Sequence, residues 1–143
     1  MEARKTFAVL GEKVEVLLSS EESGGKVAVA LQTTAPGGGP PPHKHSREDE
    51  TFTVLEGEYE FLSDGSWSRV LAGQTVFAPR DHVHTYRNPG SGAAKILVHI
   101  TPGGFEKFLE RLSAFSVPQD LPKIIALGEE FGVSFVLAPP AAG

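Results

Sequence analysis

Between Pro42 and Leu55 the chain sets two histidines one residue apart, His43 and His45, and follows them with three acidic residues, Glu48, Asp49 and Glu50. Side chains alternate across an extended backbone, so residues i and i+2 share a face and the two imidazoles point the same way. Glu50, five residues beyond His45, can join them if the chain turns or bulges in between. A third imidazole, His84, lies 34 residues beyond Glu50, at the far end of a second pair of predicted strands. Three imidazole nitrogens and one carboxylate oxygen suit a divalent transition metal and leave coordination positions open for a ligand. With one carboxylate as the only charged donor, the ion keeps a residual charge of about +1, which favours an anionic ligand or an enolate.

The elements that must position these residues follow from length and punctuation. A chain of 143 residues is one domain by length, able to bury roughly 68–70% of its unfolded surface. Sixteen glycines and eleven prolines divide its first hundred residues or so into short apolar runs, the spacing of an all-β barrel or sandwich. Val14–Val16, Lys26–Leu31, Asp49–Glu56, Tyr59–Leu62, Trp67–Ala72, Thr75–Ala78, His82–Arg87 and Lys95–Thr101 read as strands, with turns at Gly57, Asp64-Gly65, Gly73 and Pro89-Gly90. Eight to eleven strands over that length fit a two-sheet jelly roll. The segment from Pro36 to Pro42 is too short to divide two domains, and its proline triplet favours an extended entry into a strand. After Pro102 the period changes. Phe105, Phe108, Leu109 and Leu112 fall at i, i+3, i+4 and i+7, which predicts an amphipathic helix, and Leu121–Phe131 predicts a second, closed by Gly132. The expected organisation is a β-barrel over residues 1–102 and a helical extension over 103–143 packed on it within one domain, ending in a Pro-rich tail.

Charge and composition narrow the partners. A net charge of −5 and a pI near 5.5 give no electrostatic case for nucleic acid or an anionic membrane. The apolar run Phe7–Leu10 is too short for a signal-peptide core, and no later run approaches a membrane span. There is no cysteine, hence neither disulfide nor thiolate ligand. A cytoplasmic protein is expected.

Written out, the two blocks are Gly37-x5-His43-x-His45-x4-Glu50-x6-Gly57 and Gly73-x5-Pro79-x-Asp81-x2-His84-x3-Asn88, about 15 residues apart. In this order and spacing the sequence resembles the cupin superfamily, in particular its small quercetin-dioxygenase-like members, over about Val27 to Thr101. Only Asp81 departs from the pattern, standing where the family usually has glycine. The resemblance implies a double-stranded β-helix, the jelly-roll or cupin barrel, with one divalent transition metal ion (Fe, Mn, Ni, Cu or Zn) held inside by His43, His45, Glu50 and His84. That family position favours positive φ, which Asp tolerates better than most residues. His82 could be a fifth ligand or a proton relay, but a place in solvent at the rim is the expectation. His99 is expected to be packed or on the surface, and Glu48 and Asp49 to lie in a solvated loop. The phenylalanines between 105 and 115 are expected in the core or in a dimer surface.

The function expected from site and resemblance together is a metal-dependent dioxygenase or other oxidoreductase acting on a small oxygen-rich organic molecule, with Glu50 as ligand or base. A sugar or small-molecule isomerase or epimerase, and a non-enzymatic binding or sensor module, are the alternatives. The expected partners are a small-molecule substrate or ligand and a second copy of the chain in a homodimer.

Overall fold

The computed structural model describes residues 4–136, so the Pro-rich tail lies outside the described residues. Eleven strands and two helices follow one another among them. The strands are β1 (Lys5–Val9), β2 (Glu12–Leu18), β3 (Ala28–Thr34), β4 (His43–His45), β5 (Asp49–Glu56), β6 (Glu58–Ser63), β7 (Ser66–Leu71), β8 (Thr75–Ala78), β9 (His84–Arg87) and β10 (Ala94–Thr101). They are followed by α1 (Phe105–Leu112), α2 (Leu121–Phe131) and β11 (Val133–Phe135).

The strands form two sheets, one of six in the order β1-β2-β3-β10-β5-β8 and one of five in the order β11-β4-β9-β6-β7. Every pairing is antiparallel. The result is mostly β, a jelly roll of the double-stranded β-helix type. Alternation decides which side chains enter the space between the sheets. On β3, Ala28, Ala30, Gln32 and Thr34 are buried, and on β10, Ala94, Ile96, Val98 and Ile100. Phe52 and Val54 of β5 meet Tyr59 and Phe61 of β6 in the same core, and the rings of Phe52 and Phe61 stand 4.8 Å apart.

The amphipathic spacing predicted for α1 is realised: Phe105, Phe108, Leu109 and Leu112 are buried, and the helix packs on β1 and β3. Glu106 is buried as well, because its carboxylate accepts hydrogen bonds from the backbone N–H groups of Ser20 (2.7 Å) and Gly104 (2.7 Å). It thus fastens the helix to the loop after β2. Helix α2 ends at Gly132 in the left-handed conformation (φ 75°), and a Cβ there would lie 2.5 Å from Ser46 Oγ. That sharp end turns the chain into β11. The segment after Pro102 is therefore not helical throughout: β11 pairs with β4, the strand that carries His43 and His45. Strands β1 and β11 are too short, or too irregular in pattern, to stand out as strands in the sequence, whereas the extended backbone expected at His43 and His45 is β4. No helix among the described residues is long and apolar enough to cross a membrane.

Candidate metal centre

His43 and His45 point into the barrel from β4, and His84 opens β9 directly opposite His43. Glu50 comes from the other sheet, on β5 between β10 and β8. The chain crosses from sheet to sheet at Ser46–Glu48, which is why four residues separate His45 from Glu50. The turn carrying the second block is fastened to the first block twice. Asp81 N–H donates to the His45 carbonyl (2.7 Å), and Arg80 pairs through backbone and guanidinium with Asp49 (2.8 and 3.1 Å). Asp81 has the positive φ expected of its position, 67°.

The ligand atoms offered by His43, His45, Glu50 and His84 all lie within 4.8 Å of one another, and all four residues are buried. Glu50 Oε1 lies 2.9 Å from His45 Nε2 and 3.0 Å from His84 Nε2. Each imidazole is held from behind by its other nitrogen. The Pro41 carbonyl stands 2.9 Å from His43 Nδ1, Glu48 Oε1 stands 3.2 Å from His45 Nδ1, and the His82 carbonyl stands 3.3 Å from His84 Nδ1. Each of these oxygens can accept from Nδ1, which turns the three Nε2 atoms toward the centre, where His84 Nε2 also lies within hydrogen-bond distance of Glu50 Oε1. Acceptors placed behind imidazoles in this way fix tautomer and ring orientation in metal sites.

One atom makes the fit to a cation explicit. Among the described residues, His45 Nε2 is buried and has no well-aligned hydrogen-bond partner, although Glu50 Oε1 is only 2.9 Å away. A neutral His45 with its proton on Nδ1 aims a lone pair at a carboxylate, which is repulsive unless a proton or a metal ion stands between them. Without a metal, the proton takes that place. Burial pulls the His45 pKa down, but the charge of Glu50 and the hydrogen bond of Glu48 outweigh it and hold it at about 10. His43 goes the other way, to about 3, through burial and the neighbouring imidazoles His84 and His45. Burial would raise the Glu50 carboxyl, yet His45 and His84 together hold it below the usual carboxylate range. His45 therefore joins the donor set only once it releases a proton.

The centre opens on a cavity of about 50 Å³, with His43, Glu50, Phe52 and Phe105 in its wall. The Phe105 ring of α1 stands edge-on to His45 at 4.4 Å, and Phe135 of β11 stands 6.2 Å from His43. The extension after the barrel therefore supplies the apolar cover over the ligand residues.

Other sequence expectations resolve here. His82 sits outside β9, half-exposed, with its ring against Asp64 at 3.0 Å, and it serves His84 only through its carbonyl. His99 is half-buried on β10. Asp49 lies partly exposed on Arg80, but Glu48 is not in a solvated loop. It is buried at the sheet-to-sheet crossing because its carboxylate meets His45 Nδ1. Its i+3 position from His45 was the available signal, hidden within a run of charges.

This β-sandwich with a His3Glu cluster between its sheets is a cupin. Residues 30–100 match the Cupin domain (Cupin_2) family model, and the chain belongs to the cupin superfamily. An uncharacterized protein of Aquifex aeolicus is 43% identical over 78 residues, covering 54% of this chain and 60% of that one. Quercetin 2,3-dioxygenase of Bacillus subtilis is 27% identical over 97 residues, covering 68% of this chain and 28% of that one. The chain thus spans less than two thirds of the length of either relative. Among solved structures, a predicted oxalate decarboxylase of Thermotoga maritima superposes with a TM-score of 0.62 at 27% identity, covering 71% of this chain and 99% of that one.

Proposed function

We propose that the Nε2 atoms of His43, His45 and His84, together with Glu50, hold one divalent transition metal ion, and that the protein is an enzyme acting on a small oxygen-rich molecule by dioxygenase chemistry. The observation that supports this is the convergence of one ligand atom from each of these four buried residues within 4.8 Å of one another, where a proton or a metal ion must stand between His45 Nε2 and Glu50 Oε1. When bound, such an ion supplies Lewis acidity toward an anionic substrate oxygen and access to oxygen chemistry. The chain's own residues do the rest. Pro41, Glu48 and His82 hold the three rings in the coordinating tautomer. Phe105 and Phe52 give the cavity apolar walls, which strengthens charge interactions in it. Glu50 lines that cavity beside His43, where it can also take a proton from a seated ligand. The likeness to a quercetin 2,3-dioxygenase adds weight to the oxidative reading.

A redox-neutral reaction, such as isomerisation or decarboxylation, is the second reading. It is favoured by the small cavity and by the name of the Thermotoga neighbour. Oxygen uptake and product formation, followed with phenolics, diketones and small hydroxy acids before and after chelation, separate the readings. Uptake matched to product and abolished by chelation is expected. Product without uptake would assign the redox-neutral chemistry, and metal-dependent retention of a compound without product would make the protein a binder.

A further inference from the structure

The cavity beside the candidate metal centre has a second polar end. Strand β9 sends His84 and Tyr86 to the same face, and β5 does so with Glu50 and Phe52. The Phe52 ring stands 5.9 Å from that of His84 and 5.8 Å from that of Tyr86, so it forms the wall between the two ends. At the end away from the metal ligands, Glu12 of β2, Gln32 of β3 and Tyr86 also line the cavity. Tyr86 Oη lies 2.8 Å from Glu12 Oε2, 3.1 Å from Glu12 Oε1 and 2.6 Å from Gln32 Oε1. Thr34 Oγ1 donates to Glu12 Oε1 (2.6 Å) and accepts from Tyr59 Oη (2.9 Å).

Counting protons shows what this end lacks. Tyr86 has one hydroxyl proton for three acceptor atoms, so with the amide oxygen of Gln32 toward it, an ionised Glu12 and Gln32 compete for that proton. With the amide turned around, Tyr86 donates to Glu12. The carboxylate then remains a buried charge whose hydrogen-bond partners among the described residues, Thr34 and Tyr86, are neutral. Burial raises the Glu12 carboxyl above its usual range despite those two bonds. Such a group beside an open space accepts from a donor when ionised and donates when protonated. A hydroxyl answers both states.

We propose that Glu12 and Gln32 determine specificity by binding a hydroxyl at the end of the ligand remote from the metal-facing oxygen. The assignment rests on the proposed metal reading. A ligand lacking that hydroxyl would leave Glu12 facing an apolar surface with its hydrogen-bonding capacity unmet, and sites built to hydrogen-bond a hydroxyl reject such analogues strongly. The occupant is therefore a small molecule with an anionic oxygen at one end, an apolar middle against Phe52 and Phe105, and a hydroxyl at the other.

The test uses the full chain loaded with cobalt(II), whose visible spectrum reports occupancy of the site. Paired probes carry a carboxylate for the metal and differ only in the remote group: 4-hydroxybutyrate against butyrate, and 4-hydroxybenzoate against benzoate. Titration calorimetry on wild type is expected to favour the hydroxylated member by about tenfold or more. Glu12→Gln and Gln32→Met, checked for fold by circular dichroism and for the wild-type cobalt spectrum, are expected to reduce that ratio below about twofold. Should Glu12→Gln fail to fold, Gln32→Met decides alone. A wild-type ratio near one, a ratio unchanged in the folded variants, or no binding by either pair overturns the assignment while the metal reading stands. Failure of wild type to take up cobalt overturns the metal reading, and this assignment with it.

Discussion

Replacing Glu48 should weaken metal binding although Glu48 is not a proposed ligand. Its carboxylate is buried and meets His45 Nδ1 at 3.2 Å, fixing the tautomer that turns Nε2 toward the centre. Removing such an outer partner typically costs 10- to 100-fold in affinity. The contact is at the long end for a hydrogen bond, and the glutamine of Glu48→Gln can still accept from Nδ1 while losing the charge. A loss of about tenfold, or about 1.4 kcal/mol, is therefore expected for Glu48→Gln. Glu48→Ala, which also frees the ring to turn, should approach about 100-fold. His45→Ala, which removes the donor itself, should exceed both. Competition for zinc against a chromophoric chelator measures all three. Asp49→Asn is the control, because Asp49 faces Arg80 instead of the centre, and it should change affinity less than about twofold. Unchanged affinity in Glu48→Ala, or an equal loss in Asp49→Asn, would refute the idea that Glu48 orients a ligand.

Metal-free protein should lose stability as pH rises from about 6.5 toward about 10, since His45, raised to about 10 by its carboxylates, contributes fully below its unfolded pKa and loses that contribution through the folded one. Chemical denaturation across that range should show the fall only in metal-free protein, and a pH-independent midpoint there would contradict the protonated His45. Asp81→Gly should be neutral or stabilise by up to about 1 kcal/mol, because glycine accepts φ 67° without strain while the backbone bond to His45 is kept. A loss of more than about 1 kcal/mol in the same assay would show that the Asp81 side chain has a specific partner. Truncation after Pro102 should produce aggregates or altered oligomers by light scattering, since it uncovers the cavity and removes β11 from β4. An unaltered, monodisperse truncated protein would show that the extension is dispensable.

What the sequence revealed and what it hid have the same physical origin. His43 and His45 were legible because period two is a local property, and Glu50 and His84 because turns of fixed length bring them to one layer of the barrel. The positive φ of Asp81 was legible only through the family position it matches, and α1 through its 3.6-residue period. Glu48 was not legible, since a carboxylate between Arg47 and Asp49 looks solvated until the crossing between sheets buries it. Glu12 and Gln32 were hidden for a similar reason. Each sits in a strand whose pattern reads as ordinary alternation, and only the pairing of β2 with β3 and the packing of β9 across the barrel bring them onto Tyr86. The β11–β4 pairing joins residues about 90 apart and leaves no local trace. Glu106 shows the limit of helical periodicity: it flanks the apolar stripe but is buried by two backbone donors from outside the helix.

The proposed metal site consists of four buried side chains whose ligand atoms lie within 4.8 Å of one another. X-ray absorption on protein loaded with one equivalent of metal tests it most directly, with elemental analysis of His84→Ala and His82→Ala beside it. One ion per chain is expected, surrounded chiefly by imidazole nitrogen and carboxylate oxygen, lost in His84→Ala and retained in His82→Ala. An ion that binds without imidazole scattering, or a metal content in His84→Ala equal to that of wild type, would contradict it.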